Sequence, residues 1–349
     1  MENSEAKRIK ISWKGIVFLF IAAVITLAFI FIKLANPKEI WAVLHDYPTQ
    51  YLLLALLTIV LSWFVDALRI KIAIAATGFA VPYTLLVVAM IAIHFLSMIT
   101  PFTATGVPFL IYILYRYRLS VGQAAGVSTS ASLGAQLGLV ALVSLILTLM
   151  PEIPEPFVPY FPYLELIVVL YGIGVAAAVC LFTHGHRFRS LFERFTKYPN
   201  ISLWFNTFVT SFRQTFKKRG LYFLGVIICG FCHFALLYLA GCFLLTGIQA
   251  EPALSFENYS VAALLGLSPS LTPIPGGAGV SEIFSVYMLD DTFTDDRIGA
   301  FIILWRAVIF YFPAAAGGIA VAYLLLIWSK KQKPRALDKV AASENCQQS

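Results

Sequence analysis

Ser268-Pro-Ser-Leu-Thr-Pro-Ile-Pro-Gly-Gly-Ala-Gly-Val-Ser-Glu282 is the stretch around which the rest of this chain is organised. Pro269, Pro273 and Pro275 remove backbone donors, and Gly276, Gly277 and Gly279 weaken helix, so a helix arriving from either side must break there. Long apolar runs lie on both sides, and one acid, Glu282, stands beside the break. Hydrocarbon does not hydrate loose N–H and C=O groups, so a break of this kind survives only buried in protein or facing a water-filled cavity. Transporters put substrate sites at broken helices of this type.

The surroundings are membrane-like. Of 349 residues, 60% are hydrophobic and 12% charged, with a mean hydropathy of +0.83; a soluble domain is nearer about a quarter charged. Repeated apolar runs of about 18 residues or more give an all-α polytopic membrane protein, whereas a β-barrel would show short alternating segments. Lys7, Arg8, Lys10 and Lys14 precede an apolar run from Gly15 to Ile32, longer than a signal-peptide core and read as a retained first span. Four cysteines (Cys180, Cys229, Cys232, Cys242) fall in predicted spans and Cys346 in the tail, so no disulfide framework is indicated. Cys229 and Cys232 form a CxxC without a second ligand pair and read as apolar packing.

Full spans are expected near 16–34, 50–68, 123–150, 163–182, 220–246 and 298–328. Two further apolar stretches, about 82–115 and 259–290, carry a Pro/Gly break near the middle. If each enters and leaves on one side, the inside segments hold 21 of the 25 Lys and Arg residues, as the positive-inside bias requires. If 82–100 crosses fully, the basic segment 183–219 falls outside, against that bias. The expected architecture is therefore six full spans plus two re-entrant broken hairpins, with both termini cytoplasmic and the protein in the cell (inner) membrane. The halves 1–150 and 151–328 then read as the same element order with directions reversed, an inverted-topology repeat, followed by a disordered basic tail over 329–349. Thr100-Pro-Phe-Thr-Ala-Thr-Gly-Val107 faintly echoes Thr272-Pro-Ile-Pro-Gly-Gly-Ala-Gly-Val280.

Span two ends in Asp66-Ala-Leu-Arg69-Ile-Lys71, with Asp66 and Arg69 on one helical face. This reads either as a boundary ion pair, Arg69 and Lys71 snorkelling to lipid phosphates, or as a gate at the inner mouth. In 183–219, Phe188, Leu191, Phe192, Phe195, Phe205, Phe208, Phe212 and Phe216 recur at helical spacing among basic residues, the pattern of amphipathic helices lying on an anionic leaflet. Nucleic acid is not expected as a partner, because the segment is tethered between spans.

Ionisable groups at membrane depth are costly and mark pathways or partners. Glu282, Arg306, His94 and His233 qualify. Arg306 lies near the midplane of the last span and either pairs with Glu282 to hold the hairpin or, with exposed hairpin N–H groups, receives an anionic group such as a phosphate. His94 and His233 read as hydrogen-bonded imidazoles between helices or as part of a pathway. The chain has no HExxH, GxSxG or P-loop, so no enzyme activity, cofactor or metal is expected; His184-Gly-His186 is too little for a metal site.

Thr272-Pro-Ile-Pro-Gly-Gly-Ala-Gly-Val-Ser-Glu282 resembles the PGGxGxxE signature of the lysylphosphatidylglycerol synthase transmembrane-region family, a flippase-like membrane domain. Ser62-Trp63 through Arg69, Thr100-Pro101 to Leu119-Ser120, and Trp305-Arg306 through Tyr311 and Pro313 to Gly317-Gly318 add to the resemblance in the expected order. It implies a stand-alone member lacking the aminoacyltransferase domain, with Pro275, Gly276, Gly277, Gly279, Glu282 and Arg306 central. Where the family often has an acid after the first hairpin's glycine, this chain has Gly106-Val107-Pro108. The expected function is movement of an anionic or aminoacylated phospholipid, or a polyprenyl-linked lipid, between leaflets. Thr100, Pro101, Gly106, Arg69, His94 and His233 complete the candidate site. The alternatives are an ion-coupled small-solute transporter and a non-transporting membrane partner of a lipid-modifying or glycosyl-transferring enzyme. Expected partners are anionic membrane lipids, with a homo-oligomer or such an enzyme left open.

Overall fold

The computed structural model describes residues 37–100, 105–150, 158, 161–184, 199–216, 220–249, 252–267, 275–277 and 279–345. Among the described residues the regular structure is all helical. The elements are α1 (Pro37–Asp46), α2 (Thr49–Ala75), α3 (Tyr83–Met98), α4 (Gly106–Arg116), α5 (Val121–Leu149), α6 (Phe161–Thr183), α7 (Pro199–Gln214), α8 (Leu221–Gly247), α9 (Phe256–Leu267), α10 (Val280–Leu289), α11 (Asp295–Trp305) and α12 (Phe312–Asn345). A π-helical turn, Arg306–Tyr311, joins the last two. Pro313 has no N–H for the carbonyl four residues back, and the wider turn just before it accommodates that loss.

Among the described residues, five stretches are long and apolar enough to cross a membrane: α2, α5, α6, α8 and the α11–α12 run over Asp295–Trp328. The expected first span, 16–34, lies outside the described residues. Helix α2 continues to Ala75, past the expected end at 68, because Ala67, Ile70, Ala73 and Ile74 keep a buried face in register. Where a disordered tail is expected from 329, helix α12 carries on to Asn345.

Helices α2 and α8 make the broadest contact in the fold. Helix α5 lies against α8 through small residues: a Cβ on Gly138 would meet the Phe231 backbone N at 2.5 Å, and one on Gly230 would meet Ala135 Cα at 2.5 Å. Lipid tails are as apolar as leucine, so close backbone approach, rather than a hydrophobic drive, holds such helices together. Helix α6 buries only Val175 while Leu166, Ile167, Val169, Leu170 and Ile173 point away from the protein. An apolar helix exposed on that scale requires lipid around it.

The two interrupted stretches are present as short helices on either side of a break. Helices α3, α4, α9 and α10 contain 16, 11, 12 and 10 residues, hence lengths of about 24, 17, 18 and 15 Å. Each falls short of a hydrocarbon core of about 30 Å. Helix α4 packs on α3, and α10 on α9.

One expectation is corrected. The aromatic face at 205–216 does not lie open to a leaflet. Phe208, Val209 and Phe212 are buried, and α7 packs on α5 so closely that a Cβ on Gly122 would sit 2.8 Å from Trp204 O. The small residues Gly122, Ala125 and Gly126 open the groove that this face fills. Phe188, Leu191, Phe192 and Phe195 lie outside the described residues.

Candidate functional site

The second break is held by a single side chain. Arg306 reaches from the start of the π-helical turn, its Nε 2.5 Å from Glu282 Oε1. Its Nη1 donates to Gly276 O (2.8 Å), and its Nη2 to Gly277 O (3.2 Å) and Ser281 Oγ (2.6 Å). A planar guanidinium with five donors in a fork suits this task, gathering two carbonyls, a hydroxyl and a carboxylate around one plane. The other carboxylate oxygen of Glu282 accepts from Gly279 N (2.8 Å) and Ser281 Oγ (3.0 Å). Glu282 thus caps the first turn of α10 while neutralising Arg306.

The local backbone explains the sequence. Gly276, Gly277 and Gly279 all have positive φ, at 63°, 62° and 86°, the region in which residues with a Cβ are strained. At Gly276 a Cβ would also collide with the Phe310 ring. That ring packs under the turn, and the Arg306 guanidinium lies 5.5 Å from its centroid. Both charged side chains are withdrawn from solvent, Glu282 at 2% and Arg306 at 6% exposure. Burial makes the pair mutually dependent, because either charge alone in such surroundings is expensive.

The first break is closed differently. Thr100 Oγ1 donates to Leu96 O (2.9 Å) and lies 3.0 Å from Thr105 Oγ1, which itself donates to Leu96 O (2.9 Å). Gly106 lets α4 pass close to α3, since a Cβ there would meet Ser97 Oγ at 2.7 Å. Pro101 lies outside the described residues. The first break is thus tied by hydroxyls of its own flanks, and the second by a cation from another helix.

Arg69, His94 and His233 meet elsewhere, around an acid absent from the expected site. Asp66 Oδ1 is 2.7 Å from Arg69 Nε, and Asp66 Oδ2 is 3.2 Å from His94 Nε2. Arg69 does not snorkel outward: it is buried, and its Nη1 donates to Ala131 O in α5 (2.6 Å). The basic residue that leans outward is Lys71, 5.2 Å from the Tyr83 ring centroid. The imidazole of His233 is 3.1 Å through Nδ1 from Ser62 O and stacks on His94, centroids 5.3 Å apart. Helices α2, α3 and α8 therefore deliver one polar cluster to a common point.

Sequence reading misses Ser281 as a site member, and it places Asp66 with Arg69 as a boundary pair or gate without its meeting His94 and His233. Asp66 carries a usable signal, an acid one turn from an arginine inside an apolar helix. Ser281 carries none. His186 lies outside the described residues, and His184 Nδ1 is 3.0 Å from Cys180 O of its own helix.

Over residues 15–317 the chain matches the family model described as the lysylphosphatidylglycerol synthase TM region. It belongs to that family. Comparison with curated proteins returned no match.

Proposed function

We propose that this member of the lysylphosphatidylglycerol synthase transmembrane-region family moves a lipid with an anionic headgroup between leaflets, in the manner of a flippase or scramblase. The observation that carries the reading is the Arg306–Glu282 clamp, a buried cation held at a broken helix inside an apolar protein. Its two charges are matched by groups that an anionic headgroup can replace: a phosphate oxygen takes the place of the Glu282 carboxylate on the guanidinium, and the freed carboxylate accepts an ammonium where the headgroup carries one. Acyl chains stay in hydrocarbon throughout.

Several features support the larger frame. The short helices α3, α4, α9 and α10 are each too short to span, which favours two re-entrant hairpins. The element order expected from the sequence for 1–150 and 151–328, alike but reversed in direction, supports an inverted repeat with hairpins meeting near the midplane. The Lys/Arg distribution favours cytoplasmic termini in a cell membrane. A second reading, ion-coupled transport of a small solute, draws on the Asp66–Arg69–His94–His233 cluster, in which all but the half-buried His94 are buried.

The test is leaflet exchange of labelled anionic lipids in liposomes containing the full chain, with Arg306→Ala and Glu282→Gln alongside. Exchange above that of empty liposomes, lost in both variants while their size-exclusion profiles match the parent, is the expected result. No exchange over empty liposomes for any of several headgroups overturns lipid translocation and leaves ion-coupled transport or a scaffold.

A further inference from the structure

We propose that Asp66, His94 and His233 form a binding site for a transition-metal dication of the Zn2+ class, a site independent of lipid translocation at the second break. One ligand atom from each of the three residues lies within 4.8 Å of the others. Three ligands at 2.0–2.2 Å around a tetrahedral ion stand about 3.4 Å apart. The site therefore closes by roughly an ångström, within reach of χ rotations at His94, whose side chain is 26% exposed against 5% for Asp66.

The hydrogen bonding sorts the lone pairs. A carbonyl can only accept, so the Nδ1 of His233 carries the proton it gives to Ser62 O, and its lone pair resides on Nε2. A backbone carbonyl on the far nitrogen is the usual arrangement behind a metal-ligating histidine. His94 Nε2 supplies the second, independent indication. It is buried and makes no hydrogen bond of acceptable geometry, although it lies 3.2 Å from Asp66 Oδ2. The two atoms stand at ion-pair distance but without the alignment that a hydrogen bond requires. An orphaned buried nitrogen costs free energy, and a cation lying between it and the carboxylate relieves that cost.

Asp66 has an oxygen to offer. Arg69 occupies Oδ1 and is itself anchored on Ala131 O, which fixes the carboxylate plane and leaves Oδ2 facing the two rings. Two imidazoles and one carboxylate are a nitrogen/oxygen donor set suited to Zn2+, Co2+ or Ni2+ rather than Mg2+ or Ca2+. The guanidinium adds like charge close by and lowers the affinity.

The experiment is titration of the chelator-treated full chain in nanodiscs with Co2+, followed by visible absorption, with Zn2+ competition and elemental analysis. About one equivalent per chain is expected, kept in Cys229→Ser and His184→Ala. Because loss of a partner behind a ligand already weakens binding 10- to 100-fold, His94→Ala and Asp66→Asn are expected to lose more than about tenfold in affinity. Less than about a tenth of an equivalent on the parent protein overturns the proposal without any variant having to fold. Binding unchanged in the two ligand variants, or abolished by Cys229→Ser or His184→Ala, overturns it equally.

Discussion

Replacing Glu282 with Gln removes one charge and almost no volume, so it isolates what the ion pair does at the second break. In the parent, the Arg306 guanidinium has the carboxylate and three neutral acceptors, Gly276 O, Gly277 O and Ser281 Oγ. The variant keeps the three neutral acceptors and leaves a cation of 6% exposure without a counter-charge. Breaking a buried pair in this way costs about 3–5 kcal/mol; the surviving acceptors place Glu282→Gln near the low end, about 3 kcal/mol. Arg306→Gln strands a carboxylate and two glycine carbonyls and belongs near the high end, about 4–5 kcal/mol. The double variant has no stranded charge and is expected to cost less than the sum by about 2–3 kcal/mol. Reversible unfolding by SDS titration in mixed micelles measures all three. Single variants costing under about 1 kcal/mol, or a double variant whose cost is the plain sum, would refute the clamp as a coupled unit.

Gly276→Ala is expected to destabilise by about 2–4 kcal/mol, combining left-handed strain with displacement of the Phe310 ring; Gly174→Ala, with nothing within 4 Å of the added Cβ, is expected to be neutral or slightly stabilising in the same titration. Phe212→Ala removes a side chain of 0% exposure from the α5–α7 contact, and a loss of about 3–5 kcal/mol is expected to appear as faster proteolysis of α7 in intact nanodiscs. Gly138→Leu forces apart α5 and α8, so a loss of at least about 2 kcal/mol is expected, and unchanged stability would refute the close approach.

The sequence by itself determined the class of protein, the approximate places of the five described membrane-length helices and the two breaks, because these depend on sums over neighbouring residues. Hydropathy accumulates over about 18 positions, and Pro and Gly act on the backbone where they stand. The Glu282–Arg306 pairing was also within reach, since only one break and one deep arginine lie in the same quarter of the chain. Tertiary structure alone decided the rest. Asp66 sits beside His94 and His233, although 28 and 167 residues separate them along the chain. Arg69 turns inward to Ala131 O, where local reading sends it to lipid phosphates. The aromatic face of α7 meets α5 instead of a leaflet. In each case the pattern states what a side chain needs, a counter-charge, an acceptor or an apolar cover. Several partners satisfy that need equally well until packing brings one of them within a few ångströms.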